Sequence, residues 1–254
     1  MAKPETSTAV EDYLKAIFTL GEWAEGPVAN ASVAQELQVS TSSVSEMSRR
    51  LAGLGLVDHK RYGGVQLTQR GLAEALTMVR RHRLVETYLV CALGYSWDEV
   101  HADAEVLEHA VSPLLVERME RTLDFPWRDP HGDPIPTADG VVHQPEARPL
   151  GSVTAGSTAY VARIDDDDSA LLRWFAEHGI GLDVPLEVLG PKPFGGATSV
   201  RLAGPPVRSL DLGSQAVAAL WVTDEPPLAT PVRGACHYRA CRHLAGVREP
   251  EDAR

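Results

Sequence analysis

Four side chains that could bind a metal ion recur along one short segment of the chain. The segment SWDEVHADAEVLEHAVSP contains His101, Glu105, Glu108 and His109. At about 100° per residue, their spacing places all four on one helix face, within an arc roughly 100° wide. Imidazole and carboxylate groups on one face favour a divalent cation, but the same residue types are also common on helix faces that only meet water. Both interpretations remain open from this segment alone.

A second pair, His82 and Glu86, lies one helix earlier in MVRRHRLVETYLV. Residues four apart share a helix face, and an antiparallel helix pair could direct both sets inward. The stripe at residues 101–109 contains no Lys or Arg. Clustered carboxylates would therefore repel one another and destabilise the fold unless a cation were bound. The combination predicts a metal site.

Composition limits the possible classes of protein. The chain has 254 residues, 44% of them apolar, which is enough for at least two domains. Its formal charge of −11 argues against general affinity for nucleic acid, so any DNA contact must be local. We expect a cytoplasmic protein with no membrane partner, because there is no apolar run of about 18 residues and no signal-peptide pattern at the start. The three cysteines are too few for a disulfide framework and favour a reducing compartment.

The first seventy residues carry a helix-turn-helix pattern. Residues 9–23 predict an amphipathic helix, residues 31–38 a short helix, and residues 40–54 a second helix that begins at a Ser/Thr cluster. The two later helices would bury apolar residues against each other, with Val33, Ala34 and Leu37 facing Val44, Met47 and Leu51. This spacing is typical of a helix-turn-helix.

A two-stranded wing is predicted after these helices. The segment LVDHKRYGGVQLTQRG alternates apolar and polar residues around Gly63 and Gly64, as a hairpin does. Basic residues exceed acidic ones at this place, where a winged helix contacts DNA. A helix-turn-helix that only packs, with an ordinary basic surface, is the alternative. The DNA-binding candidates are Ser40, Thr41, Ser42, Ser43, Ser45, Glu46, Arg49, Arg50, Lys60 and Arg61.

The order of motifs resembles the diphtheria toxin repressor family of metal-dependent regulators. EDYL, SSVSEMSRRL, GVQLTQRG, RRHRLVETYL, HADAEVLEHAVSP and DPHGDPIP follow one another with the family's spacing from about residue 9 to residue 137. Residues 150–224 resemble the family's C-terminal domain. The resemblance implies a mainly α N-terminal part, with a winged helix-turn-helix and a helical dimerisation domain, and a small β-rich SH3-like domain. It also implies a homodimeric repressor of operator DNA, with no enzymatic activity and no small-molecule substrate.

The same resemblance suggests five segments. These are a DNA-binding domain at 1–73, a helical metal-binding and dimerisation domain at 74–137, a Pro/Gly-rich linker at 138–150, an SH3-like domain at 151–224 and a tail at 225–254. Short β-type runs, including TAYVARI and AVAALWVT, and one helix at SALLRWFAEHG are expected in the SH3-like domain. The stretch around DPHGDPIP is expected to be an extended connector.

Two ligand sets are implied by the resemblance. The primary set is Asp12, Glu105, Glu108 and His109, and the ancillary set is His82, Glu86 and His101. Iron-sensing members usually have Met and Cys in place of Asp12 and Glu105. The carboxylates of this chain resemble those of the manganese-responsive members, and hard oxygen ligands suit Mn(II). We therefore expect Mn(II) as the corepressor, with Fe(II) as the second choice.

One departure favours two separated metal sites. The short manganese regulators of the family have an acidic residue where this chain has Lys15, so a bridged two-metal cluster is not expected. In the longer, three-domain arrangement the C-terminal domain can lend a ligand to the ancillary site. Asp165 and Asp168, from the acidic run at residues 165–168, are the candidates. A solvated helix N-terminus is the alternative for this run, and His131 is interpreted as a turn or surface histidine.

Two other classes of protein are the alternatives to a metal-dependent repressor. A metal-dependent hydrolase would need an open coordination position and a general base, for which no motif is visible. A winged-helix regulator that answers a small organic ligand would leave the His/Glu stripe structural. The tail residues Cys236, His237, Cys241 and His243 do not match the usual zinc spacing and are interpreted as a chance cluster.

Overall fold

The structure, a computed structural model, describes residues 7–24, 26–59, 64–194, 196–203 and 207–225. The tail cluster at residues 236–243 lies outside these described residues. The chain divides into two compact units, one formed by Met1–His82 with Pro136–Val142 and the other by Arg83–Ile135 with His143–Arg254. The predicted fold class is confirmed, with a helical N-terminal part and a C-terminal β-sheet domain.

The first unit contains the predicted winged helix-turn-helix. Its elements are α1 (Thr8–Glu22), α2 (Asn30–Glu36), α3 (Thr41–Gly53), β1 (Val57–His59) and β2 (Val65–Leu67). Val33 on α2 and both Val44 and Leu51 on α3 are fully buried in one apolar core, because their spacing places them on the facing sides of the two helices. β1 and β2 pair antiparallel, with Val57 opposite Leu67. Residues 60–63 of the wing lie outside the described part.

Helix α4 (Gln69–Leu93) is 25 residues long and begins in the first unit. Its residues as far as His82 belong to the first unit, and those from Arg83 onward belong to the second. No helix in the described part of the chain is both long enough and apolar enough to cross a membrane.

The helical part of the second unit continues with α5 (Val100–Leu107) and α6 (Pro113–Thr122). Ser112 caps α6, its hydroxyl accepting a hydrogen bond from the Leu115 amide, and Pro113 occupies the first turn, where no amide donor is needed. The helices pack around a buried apolar cluster that includes Leu84, Val100 and Leu123. The packing of α4 and α5 around this cluster brings Glu86 on α4 and His101 on α5 together.

The β-rich part of the second unit is a six-stranded antiparallel sheet. The strands are β3 (Arg148–Pro149), β4 (Thr158–Ile164), β5 (Pro185–Pro191), β6 (Thr198–Leu202), β7 (Arg208–Leu212) and β8 (Leu220–Thr223), in the order β3-β8-β4-β5-β6-β7. The helices of this part are α7 (Ser169–His178) and α8 (Ser214–Ala218). The predicted strand AVAALWVT was wrong in its first half, which forms α8. Its alternation is too short to distinguish a strand from one helical turn.

The predicted extended connector around DPHGDPIP was also wrong. Residues 129–136 are all buried. They fold into a turn in which the Gly132 amide donates a hydrogen bond to the Asp129 carbonyl oxygen. The carboxyl groups of Asp129 and Asp133 are both buried, and Arg83 lies beside each of them. Residues 129–135 of this stretch are therefore part of the interior of the second unit.

Candidate metal centres

Helices α4 and α5 bring Glu86 and His101 into contact. His101 Nδ1 lies 3.1 Å from Glu86 Oε1, and the Glu86 side chain is only 1% exposed whereas that of His101 is 51% exposed. His101 Nε2 also lies 3.5 Å from Glu105 Oε1, one turn later on α5. An imidazole that faces two carboxylates from two helices is a suitable donor set for a divalent cation.

His82 precedes Glu86 by one turn of α4, so the two side chains project from the same face of one continuous helix. Within the first unit, Lys15 Nζ lies 3.4 Å from His82 Nδ1, and both residues are buried. The positive charge of Lys15 would repel a metal ion placed beside His82, whereas an acidic residue at position 15 would attract one and favour a bridged pair of ions. This placement supports the expectation of separated sites.

The remaining members of the predicted primary set lie at the end of α5 and on α1. Glu108 caps α5 and is fully buried, and its Oε1 lies 3.5 Å from His109 Nε2. Asp12 is half-buried on α1 in the first unit. Because its carboxylate lies beside the His109 imidazole, and both groups are donors that divalent cations accept, Glu108 is a candidate ligand. That Asp12 binds the same metal ion as Glu105, Glu108 and His109 stays a prediction.

The acidic run after β4 contributes a different residue from the two predicted. Asp166 Oδ2 lies 3.5 Å from His101 Nδ1. Asp168 instead caps α7, accepting hydrogen bonds from the amides of Ala170 and Leu171. Asp165 Oδ2 lies 3.5 Å from Arg163 Nη1.

His131 is a further candidate ligand that the sequence interpretation missed: it lies in a turn, as one of the two alternatives had it, but it is not at the surface. The side chain is fully buried, and its Nε2 lies 2.7 Å from the Trp97 carbonyl oxygen. Its Nδ1 lies 3.7 Å from Asp166 Oδ2 and has no hydrogen-bond partner among the described residues. Glu86, His131 and Asp166 can each place one donor atom within 4.8 Å of the others. All three belong to the second unit.

The charge around His131 suits a cation. Burial alone would lower the pKa of His131, but the carboxylates of Asp166, Glu86 and Asp129 outweigh it and raise the pKa to about 9. Without metal, the imidazole therefore holds a proton that these carboxylates stabilise. A divalent cation could replace that proton, because it is attracted by the same carboxylates and binds the neutral imidazole.

Most of the predicted DNA-contacting residues lie on α3 or at its N-cap, with the hydroxyl residues in its first turns and the two arginines nearer its end. Ser40 caps the helix, its Oγ accepting a hydrogen bond 3.1 Å from the Ser43 amide nitrogen. Arg49 and Arg50 are exposed. Thr41, Ser42, Ser43 and Glu46 are also exposed, and Ser45 is half-buried. Lys60 and Arg61 fall outside the described residues.

Three family descriptions match successive parts of the chain. The N-terminal DNA-binding domain of iron-dependent repressors matches residues 5–65, and their metal-binding and dimerisation domain matches residues 68–137. A FeoA domain matches residues 148–223. The matches cover the winged helix, the His/Glu helices and the six-stranded sheet in turn.

Individual relatives agree with these matches. The iron-dependent repressor IdeR of Mycobacterium tuberculosis is 36% identical over 132 residues, which span 52% of this chain and 57% of the relative. The diphtheria toxin repressor of Corynebacterium diphtheriae is 31% identical over 156 residues, 61% of this chain and 69% of the relative. A solved manganese-dependent transcriptional repressor, in complex with manganese, is 51% identical and superposes with a TM-score of 0.81, covering 85% of this chain and all of the other. The chain therefore belongs to the iron-dependent repressor family, whose other members include the diphtheria toxin repressor and manganese-dependent repressors.

Proposed function

We propose that the chain is a transcriptional repressor that binds operator DNA as a homodimer when Mn(II), or alternatively Fe(II), is bound. The observation that carries this proposal is the cluster of Glu86, His131 and Asp166 in a protein that also has a winged helix. The proposal also includes the division of the chain into five segments, with boundaries at residues 73, 137, 150 and 224.

Two metal centres are assigned. Asp12, Glu105, Glu108 and His109 would form the first centre, which is supported by the buried Glu108 beside His109. Glu86, His101, His131 and Asp166, with His82 one turn earlier on α4, would form the second centre. The first centre would take ligands from α1 and from the end of α5. The second would take them from α4, α5, the turn at residues 129–133 and the segment after β4.

Manganese is the preferred ion because every proposed ligand is a carboxylate or an imidazole. Mn(II) binds oxygen-rich donor sets well, whereas thiolate and thioether ligands select softer ions. The 51% identical relative was solved with manganese, which agrees with this choice. Affinity alone favours Zn(II) and Cu(II) over Mn(II) at most sites, so coordination geometry and metal availability must contribute to selection.

Operator recognition is assigned to α3 and the wing. The exposed hydroxyl groups of Ser42 and Ser43 can donate to phosphates or base edges, and Arg49 and Arg50 supply positive charge. Because the whole chain carries a formal charge of −11, the basic groups of this surface would have to act locally. Sequence-specific contacts would come from the first turns of α3 in a major groove.

Dimerisation is assigned to the apolar residues exposed on α5 and α6. Val106 is 72% exposed and Leu114 is 61% exposed, and Leu107 and Leu115 beside them are also exposed. Several large apolar side chains exposed together favour contact with another protein surface. A second copy of the chain would cover them through a two-fold interface, as a pseudo-palindromic operator requires.

The mechanism follows from the positions of the ligands. A bound cation supplies the positive charge that allows several carboxylates to lie close together. Asp12, by ligation, would hold α1 to the residues at the end of α5 and so restrict the orientation of the winged helix. Operator DNA favours that same restricted state, so metal and DNA each raise the affinity for the other by an equal factor.

A chelator experiment tests this function against the small-ligand alternative. Duplexes selected from a random pool with Mn(II)-loaded protein should be bound in gel shifts, and excess EDTA should release them. Adding back Mn(II) should restore binding. If the chelated protein bound the same duplexes equally well, the metal-dependent repressor would be excluded and a regulator controlled by another ligand would be favoured.

The number of ions per chain tests the two-centre assignment. Calorimetric titration of the chelator-treated protein should give two Mn(II) per chain for the wild type and one for His131→Gln, because the amide cannot replace the imidazole as an effective ligand. His143→Gln, at an exposed histidine outside both centres, is the matched control and should retain two. Unchanged stoichiometry in His131→Gln would remove His131 from the ligand set.

A further inference from the structure

A buried ion-pair network surrounds the turn that carries His131. Arg83, on α4, donates a hydrogen bond from Nη1 to the Pro134 carbonyl oxygen at 2.7 Å, and its Nη2 lies 3.8 Å from Asp133 Oδ1. Arg163, on β4, donates from Nε to the same Asp133 oxygen at 2.7 Å. The Asp133 and Arg163 side chains are only 8% and 12% exposed. One carboxylate thus joins the helix and the strand through the turn.

The turn is rigid and lies directly against β4. Asp129 Oδ1 accepts hydrogen bonds from the amides of His131, Gly132 and Asp133, at 2.9, 2.9 and 3.0 Å. The Ile164 amide donates to the His131 carbonyl oxygen at 2.8 Å. Gly132 has φ of +100°, and a Cβ there would lie 2.2 Å from the Ala162 carbonyl oxygen. No side chain fits between the turn and the strand, so their separation is set by direct backbone contact.

This contact determines where two of the proposed ligands meet. His131 is part of the turn, and Asp166 follows Ile164, the last residue of β4, by two positions. We propose that Asp133 and Arg163 are positioning residues for the second metal centre, because their buried ion pair holds the turn in this contact with β4 and so keeps His131 and Asp166 in place. This inference rests on the second centre of the proposed function, and neither residue is itself assigned as a ligand.

The physical reason lies in the low exposure of the pair. Asp133→Asn would remove the anion that Arg83 and Arg163 share, and Arg163→Lys would keep the charge but lose the Nε–H donor that reaches Asp133. In either case the turn or the end of β4 would shift as the buried charged groups rearrange. A shift of this kind changes the distance between His131 and Asp166, and metal coordination tolerates little change in ligand spacing. Residues that orient metal ligands typically cost about 10–100-fold in metal affinity when they are changed.

The test compares Asp133→Asn and Arg163→Lys with the wild type in Mn(II) titrations of the full chain, with free Mn(II) measured by electron paramagnetic resonance. Both variants should bind Mn(II) about 10–100-fold more weakly at one centre and normally at the other. His131→Gln identifies the affected centre, because adding that change to either variant should abolish the weakened site and leave the normal one unchanged. Thermal unfolding of the metal-free variants reports whether they fold.

Asp183→Asn is the matched control. Arg128 donates to Asp183 through an exposed bidentate ion pair, which also joins the segment before the turn to the β-rich part. Asparagine tolerates the positive φ of 66° at this position, so only the charge is lost. We expect unchanged Mn(II) affinity at both centres.

Three results would overturn the inference. Normal affinity in both folded variants would show that the ion pair does not position the ligands, and an equal loss at both centres together with a lower melting temperature would show a general structural role. If the wild type bound one Mn(II) per chain and Glu86→Gln left that binding unchanged, the second centre itself would be absent. That outcome differs from the other two and would remove the inference together with its premise.

Discussion

Replacing Asp12 with alanine should leave a folded dimer whose affinity for operator DNA no longer increases with Mn(II). The change removes the only proposed ligand on α1, so the end of α5 can still bind the ion but no longer restrains the winged helix. Allosteric coupling is typically about 1–3 kcal/mol, so wild-type operator affinity should rise by about 5–150-fold with Mn(II). Fluorescence anisotropy of a labelled operator, with and without Mn(II), measures both values.

Glu11→Gln provides the control for Asp12→Ala, because it changes a neighbouring acidic residue on the same helix that belongs to neither proposed centre. This variant should keep the wild-type response. Circular dichroism and sedimentation should give the same helix content and dimer for all three proteins. An unaltered Mn(II) response in Asp12→Ala would contradict the proposed link between α1 and α5.

The double substitution Asp12→Met and Glu105→Cys should change which metal activates the protein. The two carboxylates are replaced by a thioether and a thiolate, and these softer donors favour Fe(II) and other later transition metals over Mn(II). Operator binding measured across titrations with Mn(II), Fe(II) and Zn(II) should therefore show a lower response to Mn(II) relative to the other two. The expected reordering depends on donor chemistry at the first centre alone.

Asp12→Asn with Glu105→Gln separates donor softness from loss of charge. This control keeps oxygen donors but removes both negative charges, so it should weaken the response to all three ions without changing their order. If the Met/Cys variant gave the wild-type order of metals, ligand hardness would not be the property that selects manganese.

The helices and their ligand stripes could be predicted because the signal is local. The spacing of His82 and Glu86, and of His101 and Glu105, indicates which side chains share a helix face. The helix-turn-helix core of Val33 against Val44 follows from the same periodicity. Sequence spacing is sufficient where one regular element carries the residues concerned.

The contributions of His131 and Asp166 could not be predicted in this way. His131 lies in a Pro- and Gly-containing turn whose composition is typical of a surface connector, and it is buried because charged partners distant in sequence enclose the turn. Asp166 is one of four identical acids, and only the end of β4 determines which of them faces His101. One sequence signal could have predicted the tight turn at His131. Asp-Pro occurs on both sides of it, at residues 129–130 and 133–134, and Asp before Pro often initiates a turn.

The absence of sulfur from both proposed ligand sets affects how the regulator would behave under peroxide. Thiolates and thioethers are converted to sulfenic acids and sulfoxides, which alters their capacity to hold a metal. Imidazole and carboxylate groups do not undergo this chemistry under the same conditions. A cell exposed to an oxidant could therefore continue to measure its manganese supply through this protein, at the time when thiol-based sensors are themselves being oxidised.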